Sequence, residues 1–125
     1  MKEKVFYKQG NFKQILKDWE DGNGCMATDR IMVDGCKVGY MYREKPDDDT
    51  QFGKVDSGWR FFAGDESDEY ANNADNVGIY TLNTLCNYDE DIVPFLNAPY
   101  NSAFARDENG NFIKEDFEAM EEFRE

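Results

Sequence analysis

The chain has 125 residues, of which 15% are aromatic, so it is long enough and apolar enough to bury one hydrophobic core. Twenty-seven acidic residues against fourteen basic ones give a net charge of −13, which repels nucleic-acid phosphates and anionic lipid headgroups. We therefore expect a single domain, 1–125, whose partner is a protein rather than a nucleic acid or a membrane.

The chain contains no histidine, which removes Ser-His and Cys-His nucleophile pairs and the ordinary general base at neutral pH. Its three cysteines, Cys25, Cys36 and Cys86, form neither a C-x-x-C pair nor an even-numbered disulfide framework. We expect free thiols, no metal, no cofactor and no catalytic residue. No apolar stretch follows the N-terminus and the longest apolar run, 92–96, is too short to span a bilayer, so a cytoplasmic location is expected.

The first element predicted along the chain is an amphipathic helix over residues 11–20. Phe12, Ile15, Leu16 and Trp19 fall at i, i+3, i+4 and i+7, the spacing of one apolar helical stripe. Residues 1–24 are therefore predicted to form an N-terminal helical extension whose apolar stripe packs on the core.

An Asp34-Gly35 pair separates two β-rich runs, 25–33 and 36–43, and this pattern predicts a β-hairpin. In that register Val38 and Tyr40 lie on a core-facing row, and Asp29 is the one carboxylate on the same row. A hydrogen bond to a hydroxyl or a backbone N–H is the preferred explanation for Asp29, and a catalytic role is the alternative.

Residues 44–57 carry a turn signal and three successive aspartates without periodicity, which predicts an exposed loop. The three aspartates are Asp47, Asp48 and Asp49. They lack the alternating ligands, the central glycine and the final glutamate of a calcium-binding loop, so a solvated charge run is the preferred interpretation.

The stretch 57–70 joins three large aromatic residues to a carboxylate cluster, and the rest of the chain is expected to be organised around it. As a strand it places Trp59 and Phe61 on one face and Arg60 and Phe62 on the other, with both faces covered. Gly64 should end the strand, and the next residue, an aspartate, is expected to cap a helix. The acidic residues of this cluster are Asp65, Glu66, Asp68 and Glu69.

Residues 77–82 predict a central strand with Ile79 facing the core, and Thr81 is the expected cap of the helix that follows. Asp89 or Asp91 should cap the next helix. Asn109-Gly110 predicts a second hairpin turn, which is preferred over a calcium loop because glycine is out of place. Residues 114–125 predict an acidic C-terminal helix.

These elements predict an α+β fold: a mainly antiparallel sheet with an N-terminal amphipathic helix, short helices after the central strands and a C-terminal helix. The expected core residues are Trp59, Phe61, Val38, Tyr40 and Ile79.

Six strings in order along residues 25–113 are similar to a bacterial family first catalogued as a domain of unknown function and later grouped as immunity-protein family number thirty-three. The strings are VGYMYR (38–43), DSGWRFF (56–62), GDE (64–66), DEY (68–70), NVGIY (76–80) and RDENGNF (106–112). The resemblance implies an interaction protein that neutralises a polymorphic toxin and assigns no catalytic residue. It does not extend to residues 1–24 or to the acidic tail.

The strong negative charge adds the expectation of a basic toxin domain as partner, bound through an acidic surface. The residues proposed for that surface are Asp65, Glu66, Asp68, Glu69, Arg60, Asp47, Asp48 and Asp49. The alternatives are a small carboxylate-based metal-binding protein or enzyme, and a regulatory binding module without a toxin.

Overall fold

The computed structural model of the chain describes residues 4–10, 12–16, 23–45 and 56–116. Six strands form one sheet in these residues: β1 (Gly24–Thr28), β2 (Tyr40–Arg43), β3 (Asp56–Phe62), β4 (Val77–Thr81), β5 (Ser102–Arg106) and β6 (Phe112–Glu115). Short helices connect them: α1 (Asp29–Met32), α2 (Asp68–Ala71) and α3 (Leu82–Tyr88), with 3-10 helices at Ala74–Asn76 and Glu90–Phe95.

The strand order is β4-β1-β3-β2-β5-β6. Neighbouring strands are antiparallel except for β1 and β3, which run parallel. The α+β class is thus confirmed, but the sheet is mixed. The parallel pair arises because the chain leaves β1 through α1 and adds β2 on the far side of β3.

The predicted hairpin around Asp34-Gly35 is wrong. Both edges of β1 are occupied by β3 and β4, and the chain turns into α1 after Thr28. Gly35 has φ +81° and its N–H donates to the carbonyl of Ile31, so the pair ends a helix instead of joining two strands. A glycine in the left-handed region is the usual helix terminator.

Strand β3 is confirmed, and it is buried along its whole length. Trp59 is 0% exposed, its indole N–H donates to the carbonyl of Leu96 at 3.0 Å, and its ring stacks on Phe61 and Phe104. Burial of the large aromatic rings together with the satisfied indole donor makes this strand the centre of the core. Asp56 and Ser57, predicted to lie in an exposed loop, are its first two residues and are buried.

The sheet buries side chains on both faces, because β3 is central. The main core lies on the face that carries Trp59, Phe61 and Met41, and it includes the apolar side of α3. A smaller cluster lies on the other face and comprises Tyr42, Phe62, Ala71 and Ala103, with Tyr40 packed against it.

A bulge in β3 depends on Gly58. Residues Gly24 and Met26 of β1 are paired with Asp56 and Arg60 of β3, so β3 carries extra residues between the two pairs. Gly58 has φ +92°, and a Cβ there would lie 2.1 Å from the carbonyl oxygen of Glu44. Only glycine fits this position without moving the backbone.

Strand β4 is at the edge of the sheet, so its prediction as a central strand is wrong. Ile79 is 60% exposed and is therefore not a core residue. Trp59, Phe61 and Val38 are buried, and Tyr40 is half-buried.

Two helix caps and one turn in the C-terminal half are correctly predicted from local signals. Thr81 caps α3 and Asp89 caps the 3-10 helix that follows, each accepting a backbone N–H. The Asn109-Gly110 turn joins β5 to β6, and the Asp107 carboxylate accepts the backbone N–H groups of Asn109 and Asn111. The Asn109-Gly110 pair therefore forms the hairpin turn that the sequence predicts.

Asp89 is also the centre of a buried charge cluster. Its carboxylate accepts the backbone N–H of Val38 at 3.0 Å and an Arg106 N–H at 2.6 Å. Arg106 also bonds Asp91 and packs its guanidinium over the ring of Phe112. The cluster ties the end of α3 to β5 and β6.

Residues 4–10 and 12–16 are named the N-terminal strap here. The predicted amphipathic helix is absent from residues 12–16, which are irregular and lie along α3, and Trp19 lies outside the described residues. The backbone N–H groups of Ile15 and Leu16 bond the side-chain carbonyl of Asn83, and the side chains of both residues pack against the main core as predicted, although they are not on a helix. At the other end, Lys114 and Glu115 belong to β6 and not to a C-terminal helix, and residues 117–125 lie outside the described residues.

Candidate functional site

The predicted docking residues that the structure describes fall into four environments. Asp65 faces Arg30, whose guanidinium bonds its two carboxylate oxygens at 3.1 and 2.5 Å. These hydrogen bonds raise the pKa of Arg30, and they lower the pKa of Asp65. Asp34 occupies the remaining side of the same guanidinium at 2.9 Å. Asp65 is thus a surface residue paired with Arg30. The prediction that Asp65 caps a helix is wrong.

Glu66 is a structural brace rather than a free surface charge. Its Oε2 accepts the Thr28 hydroxyl at 2.5 Å and the Ala63 N–H at 2.8 Å, and its Oε1 accepts the Gly64 N–H at 2.8 Å. One carboxylate therefore fixes the turn after β3 and ties it to the end of β1. This contact joins residues 38 positions apart, so no local sequence signal could have shown it.

Asp68 and Glu69 are exposed in the first turn of α2. Ser67 caps this helix through its side chain, which accepts the Tyr70 N–H. Neither carboxylate has a cation within ion-pair distance among the described residues, and the same holds for exposed Asp75 a turn further on. Of the predicted acidic cluster, Asp68 and Glu69 are therefore the two charges open to a partner.

Arg60 is buried and does not lie on a docking surface. Its guanidinium bonds both oxygens of Asp56 at 2.9 and 2.7 Å and one oxygen of Glu44 at 3.0 Å. Burial works to lower the pKa of Arg60, but hydrogen bonds and the charges of Asp56 and Glu44 outweigh it, and the net pKa is raised. Arg60 is part of the fold. Asp47, Asp48 and Asp49 lie outside the described residues.

A cleft of about 150 Å³ lies beside Asp68, one of the two open carboxylates. Tyr40 and Phe62 form its aromatic wall, with ring centroids 6.1 Å apart, and Glu66 and Asp68 contribute carboxylates. A cavity of about 150 Å³ accommodates a benzene-sized group, so this cleft has room for one side chain. The sequence pattern predicts Phe62 on this face of the sheet but does not indicate the cleft, because α2 and β2 meet there only in the folded chain.

Asp29 lacks the hydrogen bond to a hydroxyl or a backbone N–H that the sequence predicted. It is 3% exposed, and Lys4 Nζ lies 2.9 Å from its Oδ1. No described donor is oriented to hydrogen-bond to this carboxylate. Asp29 is therefore balanced by a charge from the strap.

All three cysteines are free, in agreement with the sequence prediction. In the described ranges, no group of three or more Cys, Asp or Glu side chains is arranged to hold a metal ion. The same ranges contain no helix long and apolar enough to cross a membrane.

The comparisons with known proteins give one family. The model of the Immunity protein Imm33 domain matches residues 25–116. No curated protein and no solved structure matches the chain. The matched region runs from β1 through β6 and contains the Glu66 brace, the open carboxylates and the cleft. Because the match covers well over half of the chain, this protein belongs to the Imm33 family of immunity-protein domains.

Proposed function

We propose that this chain is a non-catalytic immunity protein that binds a toxin domain in the cytoplasm and neutralises it by covering its working surface. Family membership is the observation that carries the proposal. The lack of histidine and the use of Glu66, Asp65 and Arg60 in internal contacts favour binding over catalysis.

The contact surface proposed is the cleft together with Asp68 and Glu69, and its partner is a basic toxin domain. An arginine or lysine from the toxin would place its cation beside the aromatic wall and its N–H groups at the carboxylates. Both interactions strengthen when the surface is covered, since water no longer competes for the same groups. The net charge of −13 would in addition speed the encounter with a basic partner.

The test measures binding of the toxin encoded beside this gene. The variant Asp68→Lys/Glu69→Lys reverses the two open charges, and Glu108→Lys/Glu115→Lys is the matched control because these residues are also exposed, lie in or beside the edge strand β6 and do not line the cleft. Both variants change the net charge equally. We expect the first to weaken binding at least about tenfold and the control to weaken it only about twofold, by reduced steering.

Two results would count against the proposal in different ways. If no toxin encoded beside the gene binds, or if the chain fails to protect cells expressing that toxin, the immunity function is wrong. If the toxin binds but both charge reversals weaken binding equally, the function stands and the proposed surface is wrong.

A further inference from the structure

A groove of about 710 Å³ lies between the N-terminal strap and the family-matched region. Met32, Tyr80 and Tyr88 line it from the family-matched region, and Phe6 and Phe12 line it from the strap. Small-molecule sites occupy about 300–1,000 Å³ and are lined mainly by apolar and aromatic side chains. The groove has this size and this lining.

The strap is attached to α1 and α3 at two places along its length. On one side the Tyr7 N–H bonds the carbonyl of Met32 at 2.8 Å, and the Lys8 N–H bonds the Tyr88 hydroxyl at 3.0 Å. On the other side the Lys13 N–H bonds the Asn87 side chain at 2.8 Å. Between these points the strap turns at Gly10, whose φ is +69°, and bridges the groove.

The charge at the groove is opposite to that of the chain. Its charged lining residues are Lys4 and Lys8, and none of its described lining residues is acidic. Lys4 is neutralised by Asp29, 2.9 Å away. Lys8 is exposed and has no carboxylate within ion-pair distance among the described residues. One uncompensated positive charge therefore stands at the mouth of an aromatic groove.

We propose that the strap groove binds a small organic anion, with an apolar ring-sized body between the aromatic side chains and its anionic group at Lys8. The aromatic rings supply contact area, and the ammonium group selects for negative charge. The strap lies outside the region matched by the family, so the site depends on both parts of this chain. It is separate from the cleft proposed for the toxin, which lies between α2 and β2.

The test uses anilinonaphthalenesulfonate, an aromatic anion whose fluorescence rises on binding, and N-phenylnaphthylamine, which has nearly the same rings and no sulfonate. We expect one anion to bind per folded chain, about tenfold more tightly than the uncharged analogue, the effect of one charge near the surface. Near-ultraviolet circular dichroism must show native packing throughout, because the same dye binds partly unfolded states.

Three variants locate the site. Lys8→Glu should weaken anion binding at least about tenfold and leave the uncharged analogue within about twofold. Lys13→Glu is the matched control, since this lysine lies on the strap but does not line the groove, and it should change binding by no more than about twofold. Thr84→Trp fills the groove from α3 and should abolish binding of both compounds.

Equal affinity for the two compounds, or equal effects of Lys8→Glu and Lys13→Glu, would refute the anion specificity. Anion binding that survives Thr84→Trp would refute the location. Failure of the wild-type chain to saturate below about 1 mM, the weak limit of specific binding, would refute the site altogether.

Discussion

Replacing Glu66 by alanine should destabilise the fold, although the residue lies in a cluster that looks like a simple charged surface. The change leaves the Thr28 hydroxyl and the Ala63 and Gly64 N–H groups without their common acceptor. Each such bond contributes about 1 kcal/mol net, and water can replace part of the loss because Glu66 is half-buried, so we expect about 2 kcal/mol. Glu69→Ala, on the neighbouring helix, should change stability by less than about 0.5 kcal/mol.

Thermal unfolding measures this difference directly. Unfolding entropy is about 2.1 cal/mol/K per residue, so for 125 residues a loss of 2 kcal/mol lowers Tm by about 8 °C. Glu69→Ala should shift Tm by no more than about 2 °C. If Glu66→Ala unfolds within 2 °C of Glu69→Ala, the brace interpretation is wrong and Glu66 belongs to the open surface.

Three further predictions concern the core. Trp59→Ala should cost about 3–5 kcal/mol in urea unfolding, the usual cost of removing a large buried ring, and a loss below about 1 kcal/mol would contradict its central place. Gly58→Ala should lower the free energy of unfolding by at least about 2 kcal/mol more than Gly110→Ala does, because both residues have positive φ but only a Cβ at position 58 meets a backbone carbonyl. Equal losses of stability in the two variants would show that the backbone around position 58 relaxes to make room for the Cβ. Thiol labelling of the native protein at neutral pH should reach Cys36 alone, since the other two cysteines are buried and burial raises the pKa of both thiols, whereas labelling in denaturant should count three.

The parts of the fold that follow from short-range signals could be predicted. Alternating aromatic residues around Trp59 identified β3, the hydroxyl of Thr81 identified the start of α3, and Asn109-Gly110 identified the β5–β6 turn. For the α3 cap and the β5–β6 turn, the hydrogen bonds that fix the structure lie within a few residues of one another, and for β3 the alternation of its own side chains was enough to identify a strand. The chemistry of neighbouring residues is then sufficient to predict the local structure.

The wrong predictions arise where contacts between residues distant in the sequence determine the structure. Asp34-Gly35 has the sequence of a hairpin turn, but β1 already pairs on both edges with strands that begin at Asp56 and Val77, so β2 cannot join it. Ile79 alternates like a core residue, yet β4 is the last strand on its side. Sequence periodicity gives the two faces of a strand but does not give its place in the sheet.

For the acidic cluster, the sequence predicted which residues are charged but not which of them remain exposed and unpaired. Asp68 and Glu69 are exposed and open. Nothing near Glu66 in the sequence indicates that Thr28 donates to it, and nothing near Arg60 indicates that Glu44 reaches its guanidinium. Carboxylates used inside the fold and carboxylates left for a partner have the same sequence signature.

The ion pair between Lys4 and Asp29 limits how far the chain can be shortened from its N-terminal side without loss of stability. The family signature begins at residue 25, but the counter-charge of buried Asp29 comes from the strap before it. Removing one partner of a buried pair commonly costs about 3–5 kcal/mol, a large share of the stability of a small domain. A fragment started at the family boundary would also uncover Met32 and Tyr88. The region that matches the family model is therefore shorter than the region that must be expressed to obtain a stable protein.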